Sequence, residues 1–143
     1  MDGYVFEDLE IGLRAGFAKT VTEADVGAFA GITGDFNPVH INAEYAKGTN
    51  FHGRIAHGLL TAGLISAVLG TRLPGPGAVY LNQQLCFHAP VFIGDTVTAE
   101  VTVRELDAEH GFVTLDTTAR VRERAVISGE ALVRVPRRQE LQD

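Results

Sequence analysis

The sequence predicts an α+β fold in which an antiparallel sheet curves around one apolar helix. Residues from His57 to about Thr71 are apolar on almost every helical face, and from Val79 onward the chain offers four long strand-like segments in succession. The composition agrees: of 143 residues, 45% are hydrophobic and 21% charged, the profile of a soluble globular protein. A chain of this size buries roughly 70% of the surface it exposes when unfolded, so one domain over 1–143 needs neither disulfides nor a structural metal.

The first half reads as helices and loops. Thr22-Glu23-Ala24-Asp25 has the hydroxyl-x-x-acid form of a helix start, with Asp25 where a capping box more often carries Glu or Gln. That helix runs through Phe29 and ends between Gly31 and Gly34, where glycines and the Asn37-Pro38 pair demand a loop. Leu59, Leu60, Leu64, Ile65, Val68 and Leu69 then make a core helix that must be enclosed on most sides. Leu73-Pro74-Gly75-Pro76-Gly77 stops it, since neither proline continues the hydrogen-bond ladder. Val79 to Val91 forms the first of the later strands. Val97, Ala99, Val101 and Val103 alternate with Thr98, Glu100, Thr102 and Arg104, and the same period recurs from Val113 to Val121 and from Ile127 to Val135. Strands in succession favour antiparallel pairing, and the helix covers their inner face.

Charge and cysteine content narrow the functional classes. Eighteen acidic residues against twelve basic ones give a net charge of −6, which opposes general attraction to nucleic acid or to anionic membranes. The longest apolar stretch, Gly58 to Gly70, is 13 residues, short of the roughly 18 needed to span a bilayer. The start at Met1-Asp2-Gly3-Tyr4 lacks the basic and apolar regions of a signal peptide, and a lone Cys86 fits a reducing compartment, so the expected location is cytoplasmic. Cys86, beside Phe87, is expected to be a small buried side chain. The Arg137-Arg138-Gln139-Glu140 tail is expected to be a solvated end.

Chemistry concentrates in Gly34-Asp35-Phe36-Asn37-Pro38-Val39-His40, which places an acid and an imidazole five residues apart among turn formers. Asp35 can hold a water as acceptor or base, and His40 can accept or return a proton near neutral pH. Taken alone, the loop suits equally a turn-forming Asp35 and a structural His40. In Arg54-Ile55-Ala56-His57-Gly58-Leu59-Leu60, Gly58 falls at the first turn of the core helix, where free amides and the dipole suit an oxygen that gains negative charge; it also suits a plain helix entry. His52 and His57 are five apart instead of four, so no metal site is expected with Asp35 and His40. His88 and His110 are expected at the surface.

These two segments together resemble the (R)-specific enoyl-CoA hydratases, the MaoC-like branch of the hot-dog fold. That family's Asp-x-Asn-Pro-x-His pattern is met by Asp35, Asn37, Pro38 and His40, and the likeness extends to the turn at Leu73–Gly77 and the strand approach at Pro90–Val97. The resemblance implies a hot dog, a long helix wrapped by an antiparallel sheet, working as a homodimer with sheets joined edge to edge. It implies a coenzyme A thioester substrate, trans-2-enoyl-CoA, hydrated to the (R)-3-hydroxyacyl thioester without a metal or redox cofactor. By the same resemblance Asp35 and His40 act as a joint acid/base dyad, Asn37 orients them, the Gly58 N–H polarises the thioester oxygen, and Ser66 lines the site. On helical spacing Gly58, Ala62, Ile65, Ser66 and Leu69 share a face that runs into an acyl pocket, with Ile65 and Leu69 limiting its depth, or is plain core. Arg14, Lys47, Arg54 and Arg72 are candidates for the coenzyme A phosphates. Two rivals share the fold: a thioesterase, which would direct water at the thioester carbonyl, and a non-catalytic acyl-CoA-binding module.

Overall fold

The alternating segments are strands with one face inward. Val97, Ala99, Val101 and Val103 are each 1% exposed or less, and Val113, Leu115 and Ala119 are wholly buried. The computed structural model, which describes residues 2–142, contains β1 (Arg14–Thr20), α1 (Glu23–Thr33), α2 (Pro38–Ile41), α3 (Ala43–Lys47) and α4 (Gly58–Thr71). β2 (Val79–Phe87), β3 (Thr96–Asp107), β4 (Phe112–Val121) and β5 (Arg124–Arg134) follow. All strands join one antiparallel sheet in the order β1-β3-β4-β5-β2. Its register sets Val103 opposite Leu115 and Leu115 opposite Ala131, which stacks apolar side chains across three strands.

Helix α4 lies against β1, β3 and β4. It buries Thr61, Ile65, Val68 and Leu69. Each fully buried aliphatic side chain of this kind contributes about 2–3 kcal/mol. This is the sheet-and-helix arrangement of the hot-dog fold.

The structure departs from the sequence reading in four places. The first half holds a strand, β1, hidden by the weak alternation of its Arg-Ala-Gly-Phe-Ala-Lys-Thr sequence and paired along its length with β3. The expected Val79–Val91 strand ends at Phe87, because Pro90 brings no amide to a ladder and 88–91 runs on as loop. Helix α4 is not enclosed on most sides: Leu59, Gly63, Ser66 and Gly70 form an exposed stripe, since β5 and β2 continue the sheet past the helix. Cys86 is exposed, on an edge strand most of whose residues are open to solvent. The tail is exposed as expected, and forms a 3-10 turn at Arg138–Leu141 and an Arg138–Asp8 ion pair at 2.6 Å.

The start of α1 follows the sequence closely. The Thr22 Oγ1 accepts from the Asp25 N–H at 3.1 Å while the Asp25 carboxylate accepts from the Thr22 N–H at 2.9 Å. Bonding from that main-chain N–H, followed by the Lys19 ammonium, holds the Asp25 carboxyl below its ordinary range. Thr22→Ala is expected to cost about 1 kcal/mol in urea denaturation at neutral pH. A carboxyl whose folded pKa is depressed stabilises the fold above its unfolded value of about 3.9 and loses that effect as pH falls through the folded value. The stability difference between wild type and Asp25→Ala therefore shrinks in acid, and denaturation at descending pH measures it.

Candidate active site

The residues that carry chemistry are set by three short pieces of backbone. Gly34, the C-cap of α1, takes a left-handed conformation at φ 82° and donates its N–H to the Ala30 carbonyl at 2.8 Å, turning the chain out of the helix. The Asp35 Oδ1 accepts the Asn37 N–H at 3.2 Å, and the Asn37 Oδ1 accepts the Val39 N–H at 3.2 Å. Asn37 is thus the N-cap, and Pro38 the first residue, of the one-turn helix α2 that carries His40. His40 sits on this helix and not in an open loop, because Asn-Pro supplies both the cap and the φ a helix start needs.

Ordinary loop chemistry does not hold His40 in place; the Arg54–His57 segment does. The His40 Nδ1–H donates to the Ile55 carbonyl at 2.7 Å, so in the neutral ring the lone pair is on Nε2. The Arg54 Nε–H donates to the His40 carbonyl at 2.7 Å while Nη1 pairs with Glu23 at 2.7 Å. The next residues are sewn to the far side, with Ala56 N–H on the Val91 carbonyl at 2.7 Å and an Ile55–Phe92 bridge. His57, the N-cap of α4, donates Nε2–H to the Asp35 main-chain carbonyl at 2.9 Å and stacks on His40 with ring centroids 3.9 Å apart. An Asp35 carboxylate oxygen and one ring nitrogen from each of His40 and His57 lie within 4.8 Å of one another. Asp35 is exposed, whereas His40 and His57 are 8% and 2% exposed.

Two cavities meet here. One of about 390 Å³ is mostly apolar and includes His40, Phe51, Ile55, Thr61, Phe87 and Val91 in its lining. The other, about 460 Å³, is lined by Asp35, His40, His57, Leu59, Phe29 and Thr33. Gly58 and Phe87 belong to both. Gly58 is the first residue of α4, where a helix leaves its N–H unpaired, and a Cβ there would stand 2.6 Å from the Phe87 Cε1. The glycine is therefore what lets the Phe87 ring rest on the helix start.

Asp35, His40 and Gly58 come together at one cavity, and Asn37 builds the loop between the first two. Ser66 lies on the exposed stripe of α4, and Ile65 and Leu69 lie in the interior core at 0% and 2% exposure; none of the three lines either cavity. Of the proposed phosphate ligands, Arg54 is spent on Glu23 and the His40 carbonyl, and Arg72 bonds the Gly16 carbonyl over the Phe17 ring. Lys47 reaches Glu44 at 3.4 Å, and Arg14 is exposed on β1. His88 and His110 are exposed as expected, bonded to Ser128 and Asp107, although His88 also lines the apolar cavity.

Sequence reasoning considered His57 only as a metal ligand. The signal for another use was its place: at an N-cap, Ser, Thr, Asp or Asn would bond the first turn, and His57 makes no such bond. As metal ligands the trio is constrained, because one nitrogen of each ring is already bonded to a carbonyl.

Residues 10–127 match the MaoC like domain family, so the chain belongs to that family. Within it, the (R)-specific enoyl-CoA hydratase of Rhodospirillum rubrum is 58% identical over 135 residues, covering 94% of each protein. The 3-hydroxybutyryl-CoA dehydratase of Methylorubrum extorquens is 56% identical over 94% of this chain and 86% of its own. Among solved structures, the unliganded R-hydratase of Pseudomonas aeruginosa superposes with a TM-score of 0.90 at 40% identity, over 94% of this chain and 87% of that one.

Because Asn37 caps the helix bearing His40, Asn37→Ala is expected to cost about 1 kcal/mol in denaturant unfolding, and Asn37→Ser, which keeps a capping oxygen, should recover most of it. Equal stability of the two variants would remove the cap from the account.

Proposed function

We propose that the protein is an enzyme that hydrates trans-2-enoyl-CoA to the (R)-3-hydroxyacyl thioester, reversibly, with Asp35 and His40 as its acid/base dyad. The observation that carries this reading is that an Asp35 carboxylate oxygen and a His40 ring nitrogen lie within 4.8 Å of each other, on a cavity also lined by Gly58, the first residue of α4. Two hydrogen bonds of about 2.8 Å meeting near the tetrahedral angle span about 4.6 Å, so one water fits between the two groups. The names of the R. rubrum and M. extorquens relatives support the same chemistry.

In the forward direction the water oxygen bonds to C3 of the enoyl thioester as the dyad takes one of its protons. The π pair of C2=C3 becomes the C1=C2 bond as the thioester C=O π pair moves onto oxygen, giving an enolate, and the dyad returns a proton to C2 as the C=O bond re-forms. The sum is addition of one water with no change in redox state, which calls for neither a metal nor a redox cofactor. The two protons are assigned to the pair jointly, because interacting groups titrate together. The Gly58 N–H faces the developing enolate oxygen, and a single donor of this kind is worth about 3 kcal/mol in the transition state. The apolar cavity beside His40, with Phe51, Ile55, Val91 and Ile127, receives the acyl chain. With a chain charge of −6, the coenzyme A phosphates need local cations, for which Arg14 and Lys47 are the less committed candidates.

The working unit in this reading is a homodimer. β2 is a sheet edge carrying Val79, Tyr80, Leu81 and Phe87 at 42 to 54% exposure, and the open stripe of α4 leaves Leu59 63% exposed. A second copy covers such an edge by continuing the sheet. Among the described residues no helix is long and apolar enough to cross a membrane, and we place the protein in the cytoplasm.

With crotonyl-CoA as substrate, loss of enoyl absorbance without release of free thiol is expected; thiol release would favour a thioesterase, and binding with neither would favour an acyl-CoA-binding module. Asp35→Asn and His40→Ala should each lower kcat by at least about a hundredfold while leaving the elution volume unchanged. Turnover near wild type in either variant would overturn the dyad.

A further inference from the structure

We propose that His57 is a positioning residue that sets both members of the dyad at once, holding the main chain of Asp35 with its edge and the ring of His40 with its face. This inference rests on the hydratase reading above. Asp35 lies just beyond the end of α1 and is exposed, so regular structure does not hold it. Three hydrogen bonds hold it: its Oδ1 accepts the Asn37 N–H, its N–H donates to the Thr33 Oγ1 at 3.1 Å, and its carbonyl accepts His57 Nε2–H at 2.9 Å. Only the last of these ties Asp35 to α4, the element whose first residue, Gly58, lines the same cavity.

His40 is fixed in its ring plane by the Nδ1–H bond to Ile55, but a single edge bond leaves a ring free to rock about that edge. His57 lies against its face at 3.9 Å between centroids and 30° between planes. His57 itself has little freedom. It is 2% exposed, follows directly into α4, and meets the Phe29 ring at 4.7 Å between centroids.

The unused nitrogen shows that packing alone does not account for the residue. His57 Nδ1 is buried with no hydrogen-bond partner among the described residues. A buried polar atom left unpaired is unfavourable, and a phenyl ring would stack on His40 and fill the space without it. What a phenyl ring cannot do is donate to the Asp35 carbonyl. The imidazole joins a flat stacking face to an N–H at its far corner, and both are used here.

The test separates the two contacts. His57→Phe keeps a ring and loses the donor. His57→Gln keeps a donor of similar reach, whereas His57→Asn is too short to reach the carbonyl. With crotonyl-CoA, His57→Phe is expected to retain the wild-type melting temperature, hold KM within about twofold and lose at least tenfold in kcat. His57→Gln should turn over severalfold faster than His57→Asn. Wild-type kcat in His57→Phe, or equal kcat in the Gln and Asn variants, would overturn the proposal, and the Gln/Asn comparison decides the matter if the Phe variant fails to fold. So would a kcat loss in His57→Phe fully accounted for by its unfolded fraction at the assay temperature. Asp35→Asn is assayed alongside: if it hydrates crotonyl-CoA at the wild-type rate, the dyad reading fails, whereas an inactive Asp35→Asn with a normal His57→Phe removes the positioning role alone.

Discussion

The seating of one side of α4 on the inner face of β1, β3 and β4 governs the rest of the molecule. Ile65, Val68 and Leu69 point into a layer of small and β-branched residues, Val97, Ala99, Val101, Val113 and Leu115, each essentially without solvent contact. Removing that much apolar surface from water fixes where the helix lies. It therefore fixes where its first turn ends up, and everything chemical is assembled around that first turn. Gly58 supplies an unpaired amide there, and His57, one residue earlier, reaches back to the chain leaving α1.

The site is consequently a joint between elements distant in sequence, made largely from main-chain groups. Carbonyls of Asp35, His40 and Ile55 accept from His57, Arg54 and His40 in turn. Arg54 illustrates how charge is used: its side chain is 18% exposed, with one nitrogen on the His40 carbonyl and another on Glu23, which is 74% exposed. An ion pair with one partner so exposed contributes little by itself. Its effect is to hold the backbone of α2 against α1, which keeps the short helix under His40 from fraying.

Legibility from the sequence followed the strength of periodic signals. The period-two runs from Val97 to Val135 and the apolar run of α4 were readable because burial demands those patterns. β1 was not, because three of its seven residues are Ala or Gly and small side chains alternate without contrast; its pairing with β3 is what defines it. The nearness of Asp35 to His40 was legible because Asp35, Asn37, Pro38 and His40 lie within six residues, whereas the one-turn helix under His40 was not, because Asn37-Pro38 reads as a loop until its cap is seen. His57 and Phe87 were not, since each acquires its role only across the fold, from the Asp35 carbonyl in one case and from the missing Cβ of Gly58 in the other. Cys86 was misjudged because apolar neighbours in sequence say that a strand is buried somewhere, not that every face of it is.

The Phe87 ring that rests on Gly58 is part of the wall of both cavities, and it is 54% exposed. The two spaces thus share Phe87, with Gly58 and His40, as common lining. Phe87 is also the last residue of β2, which lies at the edge of the sheet, so whatever pairs with that edge bears on the one phenyl ring that both spaces share, with no change needed in the backbone of Asp35, His40 or Gly58.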